Sequence, residues 1–340
     1  LSTATSARAL LDELRVVVEP AMRSAVEAMD PVSSAISAYH LGWTEADGTP
    51  VASSGGKAVR SGLAVLSAQA AGAHAEIGIP GAVAVELVHN FSLLHDDVID
   101  GDEQRRHRPT VWAIWGVADA ILAGDAMLVA AQRALVDAPQ GDAIGALRLL
   151  QNATQSIIHG QFEDIRFETR QDVTLEECLA MAGRKTSSLL SASAAIGAVL
   201  AGAPEATIAA LAEFGERLGA AFQLVDDLLG IWGDPSVTGK PVLSDLRSRK
   251  KTLPVTYSLS TGRPEAAALR DFLAGTGDAP DDQLAEMARI IEVCGGRDWA
   301  MREAQSQIGL AARALDDAGI PEPARGQLID VAAFVARRDD

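Results

Sequence analysis

The sequence predicts an all-α protein, a single domain over residues 1–340 with its helices packed around a shared interior. Three observations point that way. Apolar residues recur three and four apart almost everywhere, as on helices with one buried face. Clear period-two runs, the mark of half-buried strands, are absent. The breaks fall at Gly/Pro/Ser clusters (42–56, 233–241 and 276–281), and none reads as a flexible interdomain tether.

Taken in order, the periodic stretches predict long helices at about 6–28, 57–77, 81–100, 110–137, 141–169, 174–201 and 205–231. Shorter helices follow at about 245–260, 264–274, 281–295, 297–317 and 321–337. Residues 186–204 carry no charge and approach the length of a membrane span. They are rich in Ser, Ala and Gly and follow Arg184-Lys185, so they read as a buried helix, and no membrane span is expected. Apolar residues make up 48% of the chain and aromatics only 4%, so small aliphatic side chains must fill most of the core.

Acidic residues outnumber basic ones 46 to 29, a net charge of −17. That excludes a nucleic-acid partner and disfavours an anionic membrane surface. Cys178 and Cys294 fit neither a zinc spacing nor a disulfide framework, which points to a reducing, cytoplasmic compartment. The first residues read as neither a signal peptide nor a basic amphipathic presequence. Only five of the basic residues are lysine: Lys57, Lys185, Lys240, Lys250 and Lys251. Lysine offers a compact ammonium where arginine offers a planar fork, so these five positions are worth following.

Residues 95–110 read HDDVIDGDEQRRHRPT. On a helix Asp96 and Asp100 stand about 40° apart, with His89 between them in angle two turns below. Asp97 points about 100° away from Asp96. Leu87, Phe91, Leu94 and Val98 form an apolar stripe on the other side. Two carboxylates on one turn repel, and a hard divalent cation reverses that cost. Arg105, Arg106 and Arg108 follow at once and could bind the same phosphates bidentately. The plain alternative is a solvated helix end with Gly101 as its stop.

A second pair, Asp226-Asp227, lies inside another apolar helical pattern, with Phe222 and Gln223 one turn before Asp226. Two facing carboxylate walls would hold several cations around one polyphosphate. Lys240, Lys250 and Lys251 follow in a loop whose lysines could also be incidental. Lys57 follows Gly55-Gly56, and Arg60 comes one turn later, both at an expected helix N-terminus, which favours anions. Lys185 opens the uncharged helix.

From about residue 55 to 254, these segments in their order resemble the trans-prenyl diphosphate synthases, or polyprenyl synthetases. The segments are SSGGKAVRSGL, ELVHNFSLLHDDVIDGDEQRRHRPT, GQFEDIRFE, RKTSSLL, FQLVDDLLGIWGD and GKPVLSDLRSRKKTLP. The resemblance implies the isoprenoid synthase type I fold, a helical bundle around a central active-site cavity, and a homodimer. It implies a reaction joining isopentenyl diphosphate to an allylic diphosphate. Three magnesium ions are implied, two on Asp96 and Asp100 and a third on Asp226, with Asp97 and Asp227 in support. Arg105, Lys185, Gln223 and Lys240 would bind the allylic diphosphate, and Lys57, Arg60, His89 and Arg106 the isopentenyl diphosphate. Thr186 and Lys250 would help hold the allylic group and the leaving pyrophosphate. Asp96, Asp100, Lys185 and Asp226 form the implied catalytic set.

The chain departs from the family pattern at several positions. Ala58 stands at an often basic position, and Ser61 replaces a proline. His107 and Ser187 replace glycines, and Gly230 replaces the last aspartate of the second motif. Lys57, Arg60 and His89 are expected to keep the charge of the isopentenyl site. Phe91, five before Asp96, with the small Ser92 at the fourth position, resembles makers of twenty-carbon products, and fifteen carbons comes second.

The implied chemistry accounts for the residue types. Cations shield a diphosphate leaving group, a dry wall of small aliphatic side chains protects the allylic cation, and no side-chain nucleophile is needed. A class I terpene cyclase is the first rival, but it has no use for a second diphosphate site such as Lys57, Arg60 and His89 would form. A non-catalytic partner subunit is the second, and the intact Asp96, Asp100, Asp226, Arg105 and Arg106 argue against it.

Overall fold

The computed structural model describes residues 3–51, 58–234 and 242–337. Its helices are α1 (Thr3–Glu27), α2 (Pro31–His40), α3 (Val59–Ala70), α4 (Ala75–Asp100), α5 (Val111–Trp115), α6 (Val117–Val136), α7 (Ala143–Thr169) and α8 (Leu175–Ala182). A π-helical turn, Gly183–Ser187, leads into α9 (Ser188–Leu200). Then come α10 (Glu205–Trp232), α11 (Ser244–Arg247), α12 (Leu253–Ser260), α13 (Ala266–Ala274), α14 (Asp281–Val293), α15 (Gly296–Asp317) and α16 (Ala324–Arg337). Two short strands, β1 (Gln104–Arg105) and β2 (Arg108–Pro109), pair antiparallel. The fold is all-α, as expected.

Five local features differ from the sequence expectation. Helix α2 was not expected; the Asp30 carboxylate caps it by accepting from the Val32 and Ser33 amides, and Pro31 opens it. The helix expected over 57–77 stops at Ala70, and α4 starts at Ala75. The helix expected over 110–137 breaks at Gly116, whose φ is 92°. The one expected over 245–260 is interrupted near Arg249, at φ 53°. The one expected over 174–201 contains the π turn.

The described residues divide into two compact units. The first comprises Leu1–Thr154, Leu189–Gly215 and Ala314–Phe334. In it α4 packs on α3 and α6, and its fully buried side chains are mostly aliphatic, among them Leu63, Leu87, Met127 and Ile196. The Gly197 amide donates to Ser67 Oγ at 3.0 Å, tying α9 to α3. Small side chains thus set the helix spacing that the low aromatic content implied.

The second unit comprises Gln155–Ser188, Glu216–Arg313 and Val335–Asp340. One of its clusters gathers Ile231, Leu246, Leu269, Leu284 and Ile291. Another gathers Phe167, Cys178, Met181, Leu224 and Leu253. Tyr257 and Trp299 stack with ring centroids 4.5 Å apart. Among the described residues, α4 is the one helix long and apolar enough to cross a membrane, and 61% of its apolar window is buried inside the protein. The uncharged α9 is also a buried core helix.

Candidate active site

In the first unit, Asp96, Asp97 and Asp100 occupy the last turn of α4, which ends at Gly101 with φ 70°. Asp96 is half-buried and Asp100 exposed, one turn apart on one face. Asp97 faces inward and is 1% exposed. Its Oδ1 accepts from Arg105 Nε and from Arg105 Nη2, each at 2.7 Å. Burial pushes its carboxyl above the ordinary carboxylate value, with Arg105 pulling the other way. Asp97 thus positions Arg105 rather than presenting a carboxylate beside Asp96.

The hairpin after α4 explains how the arginines separate. Arg106 and His107 form its two-residue turn, at φ 52° and 62°, both in the left-handed region that a type I′ turn requires. That is why a glycine suits position 107 and why His107 is strained there. Arg105 reaches Asp97, whereas Arg108 donates to the carbonyls of Tyr39 (3.2 Å) and Thr44 (2.7 Å) and stacks over the Tyr39 ring. Arg108 is therefore a framework residue, contrary to the expectation that it joins the phosphate-binding arginines. Thr110 Oγ1 and Trp112 Nε1 both donate to the Asp102 carbonyl at 2.8 Å, strapping the hairpin to the end of α4. A cavity of about 150 Å³ beside it is lined by His40, Asp97, Arg105, Arg106 and Arg108 among others.

Arg60 lies in the first turn of α3, as expected, while Lys57 lies outside the described residues. Burial and the nearby Arg60, Arg106 and Arg105 hold the His89 pKa well below the usual imidazole value. Burial and the three arginines thus disfavour the charged form of His89 there. Burial, followed by Arg105 and Arg106, brings His40 down to about 3. Phe91 is buried, edge-on to His95 at 4.8 Å between ring centroids. Ser92 Oγ donates to the His89 carbonyl at 2.8 Å.

In the second unit, Lys185 and Thr186 lie in the π turn, a distortion common at functional sites. Two glycines let neighbouring helices close on it. A Cβ on Gly160 would sit 2.6 Å from the Lys185 amide nitrogen, and one on Gly219 would sit 2.5 Å from Ser187 Cα. Lys185 Nζ donates to Asp164 Oδ2 at 2.6 Å, and Lys250 Nζ stands 4.0 Å from the same oxygen. Burial would raise the Asp164 pKa, but Lys250 and Lys185 outweigh it and hold it below the ordinary value. Arg184 pairs bidentately with Glu163, both contacts at 2.7 Å. These two carboxylates were missed from sequence, although Glu163-Asp164 answers Arg184-Lys185 sign for sign.

Asp226 is exposed on α10, and Asp227 is buried. Gln223 is engaged at both amide atoms: Oε1 accepts from Thr186 Oγ1 at 2.6 Å, and Nε2 donates to Asp227 Oδ1 at 2.7 Å. Asp227 Oδ2 accepts from the Leu253 amide at 2.8 Å. Burial pushes the Asp227 carboxyl up to about 7. Lys240 lies outside the described residues. Lys251 is buried and donates to the carbonyls of Phe167 (2.7 Å) and Glu168 (3.1 Å), a cationic cap on the last turn of α7. Cys178 and Cys294 are buried and free.

The pattern of the polyprenyl synthetase family matches residues 43–291, most of the chain. The chain belongs to that family. This polyprenyl synthetase is 50% identical over 326 residues to the (2E,6E)-farnesyl diphosphate synthase of Mycobacterium tuberculosis (strain ATCC 25618 / H37Rv), over 95% of this chain and 90% of that one. It is 43% identical over 333 residues to the geranylgeranyl diphosphate synthase of the same strain, over 98% and 94%. The crystal structure of a polyprenyl synthetase from Streptomyces coelicolor A3(2) superposes with a TM-score of 0.91 at 49% identity, over 96% of this chain and 98% of that one. The activity is trans-prenyl transfer, on the isoprenoid synthase fold. The family acts on isoprenyl diphosphates with a divalent metal. Among the described residues no three His, Cys, Asp or Glu side chains converge as a closed metal centre. Magnesium does not require one, since it takes one or two carboxylates and leaves other positions to water and phosphate.

Proposed function

We propose that this polyprenyl synthetase condenses isopentenyl diphosphate with an allylic diphosphate to give a short-chain product, geranylgeranyl diphosphate first. Farnesyl diphosphate is the second reading, favoured by the name of the 50% identical relative. The observation that carries the reaction is the division of labour in each aspartate pair. One member, Asp96 or Asp226, is the more exposed, and the other, Asp97 or Asp227, is buried and holds a neighbouring binding side chain.

On this reading Asp96 and Asp100 hold two magnesium ions and Asp226 a third. When bound, the ions neutralise diphosphate oxygens, which makes the diphosphate a better leaving group. Arg105, Lys185 and Lys240 bind the allylic diphosphate, as do Gln223 and Thr186, which a hydrogen bond fixes to each other. Lys250 helps hold the departing pyrophosphate. Lys57, Arg60 and Arg106 bind isopentenyl diphosphate, and His89 contributes a hydrogen bond there. The catalytic domain spans the whole chain and works as a homodimer in the cytoplasm, in keeping with its free, buried cysteines.

Product length rests on Phe91, a buried ring five residues before Asp96, followed by the small Ser92. The test is a magnesium-dependent assay of isopentenyl diphosphate with five-, ten- and fifteen-carbon allylic partners, read by product chromatography. A twenty-carbon main product supports the first reading and a fifteen-carbon one the second. A cyclised hydrocarbon from allylic substrate alone would overturn the condensation reading.

A further inference from the structure

Residues 249–251 read Arg-Lys-Lys, three consecutive cations with different partners. Arg249 ends α11 in a Schellman motif: its amide donates to the Leu246 carbonyl at 3.0 Å, and the Lys250 amide donates to the Asp245 carbonyl at 2.8 Å. That motif turns on a left-handed residue, a position that suits glycine, and Arg249 takes it at φ 53°. The side chain offsets the strain by reaching across to α13. Its Nε donates to the Phe272 carbonyl at 3.1 Å and its Nη1 to the Gly277 carbonyl at 2.6 Å, with the guanidinium 4.9 Å from the centre of the Phe272 ring. Phe272 lies in the last turn of α13, a helix end that favours a cation. Lys251 docks in the same way on the last turn of α7, at the carbonyls of Phe167 and Glu168. Lys250 thus stands between two cations that are each tied to the end of a helix, with its half-exposed Nζ 4.0 Å from Asp164 Oδ2.

We propose that Arg249 is a positioning residue for Lys250: its tether to α13, together with that of Lys251 to α7, fixes the backbone from which Lys250 reaches the diphosphate. This rests on the reading of Lys250 as a diphosphate ligand. A lysine ammonium rides on a flexible four-carbon stem, so the fold can aim it only by fixing its Cα. Holding that Cα before the anion arrives lowers the ordering cost of binding. Glycine would make the same turn without strain, but it would leave the Lys250 backbone anchored on one side only. An arginine in a glycine-suited turn is what the tether accounts for.

The test is calorimetric binding of inorganic pyrophosphate, in the presence of magnesium, to the full-length chain. Arg249→Gly keeps the turn and removes the tether, and should weaken the affinity about fivefold. Arg249→Asn, which also tolerates a left-handed backbone, should match it, and circular dichroism confirms that each variant is folded. Lys250→Ala tests the underlying reading and should weaken the affinity about tenfold or more. In the double variant Arg249→Gly with Lys250→Ala, the loss should equal that of Lys250→Ala alone within about twofold, because Arg249 acts through Lys250. If Lys250→Ala weakens binding but both Arg249 variants stay within about twofold of the wild type, the inference fails and the Lys250 reading stands. If Lys250→Ala leaves the affinity unchanged, the Lys250 reading fails and the inference with it. Losses that multiply in the double variant would show that Arg249 acts on the anion without Lys250, which also overturns the inference.

Discussion

The two aspartate-rich regions carry the same Asp-Asp pair, and each buries the second member, but the buried carboxylates have different partners. Asp97 meets a guanidinium, so its charge is matched by Arg105. Asp227 meets two neutral donors, the Gln223 amide and the Leu253 backbone N–H. Burial pushes both carboxyls up, and Asp227 reaches about 7. The difference teaches that a repeated motif need not repeat its electrostatics. The first region fixes a cation in place, and the second fixes an amide and a backbone turn.

The largest effect should come from removing the first member of either pair. Asp96→Asn and Asp226→Asn should each lower kcat by about 10²–10³-fold, the scale expected when charge stabilisation of the leaving group is lost. Steady-state assays check this, and a loss in only one variant would break the functional parity of the two regions. The second members should then diverge in stability. Asp97→Asn leaves the half-buried Arg105 without its partner and should cost about 2 kcal/mol in urea denaturation at pH 7.

Asp227→Asn should behave differently, because its folded pKa lies above its unfolded value. The stability that Asp227 contributes is present below the unfolded pKa and is lost as pH rises toward 7. The wild type should therefore lose up to about 1.4 kcal/mol per pH unit on this account, and Asp227→Asn should not. In metal-free buffer the variant should gain on the wild type between pH 4.5 and 7.5. A constant difference across that range would show that Asp227 does not titrate there.

Two smaller changes sharpen the contrast. Asp164→Asn weakens the anchor of Lys185 and should reduce kcat/KM for the allylic substrate about tenfold, with KM carrying most of the change. An unchanged KM would mean that the lysine needs no anchor. On the first region's side, His107→Gly relieves a left-handed histidine in the hairpin turn and should raise stability by about 1 kcal/mol in thermal unfolding.

Much of this was legible in the sequence because it depends on period and spacing. The α4 and α10 helices, the shared face of Asp96 and Asp100, and the placement of Arg60 all follow from a 3.6-residue turn. The missed features depend on contacts distant in sequence. Nothing in RKTSSLL announces a π turn, which exists because α7 and α10 close on it at Gly160 and Gly219. Arg108 looked like its neighbours until the hairpin turned it toward Tyr39. Helix α2, by contrast, was signalled by Asp30-Pro31, a cap followed by a first-turn proline, and could have been read.

Lys250 and Lys251 are adjacent and chemically identical, but the fold gives them different fates. Lys251 is sealed against the end of α7 by two carbonyls, and Lys250 stays half-exposed beside Asp164. An amine-modifying reagent, or an acetylating enzyme, would find one and not the other. The anchored lysine holds its neighbour in register with the helix that carries Asp164. Covalent marking at Lys250 would therefore report on the surroundings of Asp164, with a silent internal standard one residue away.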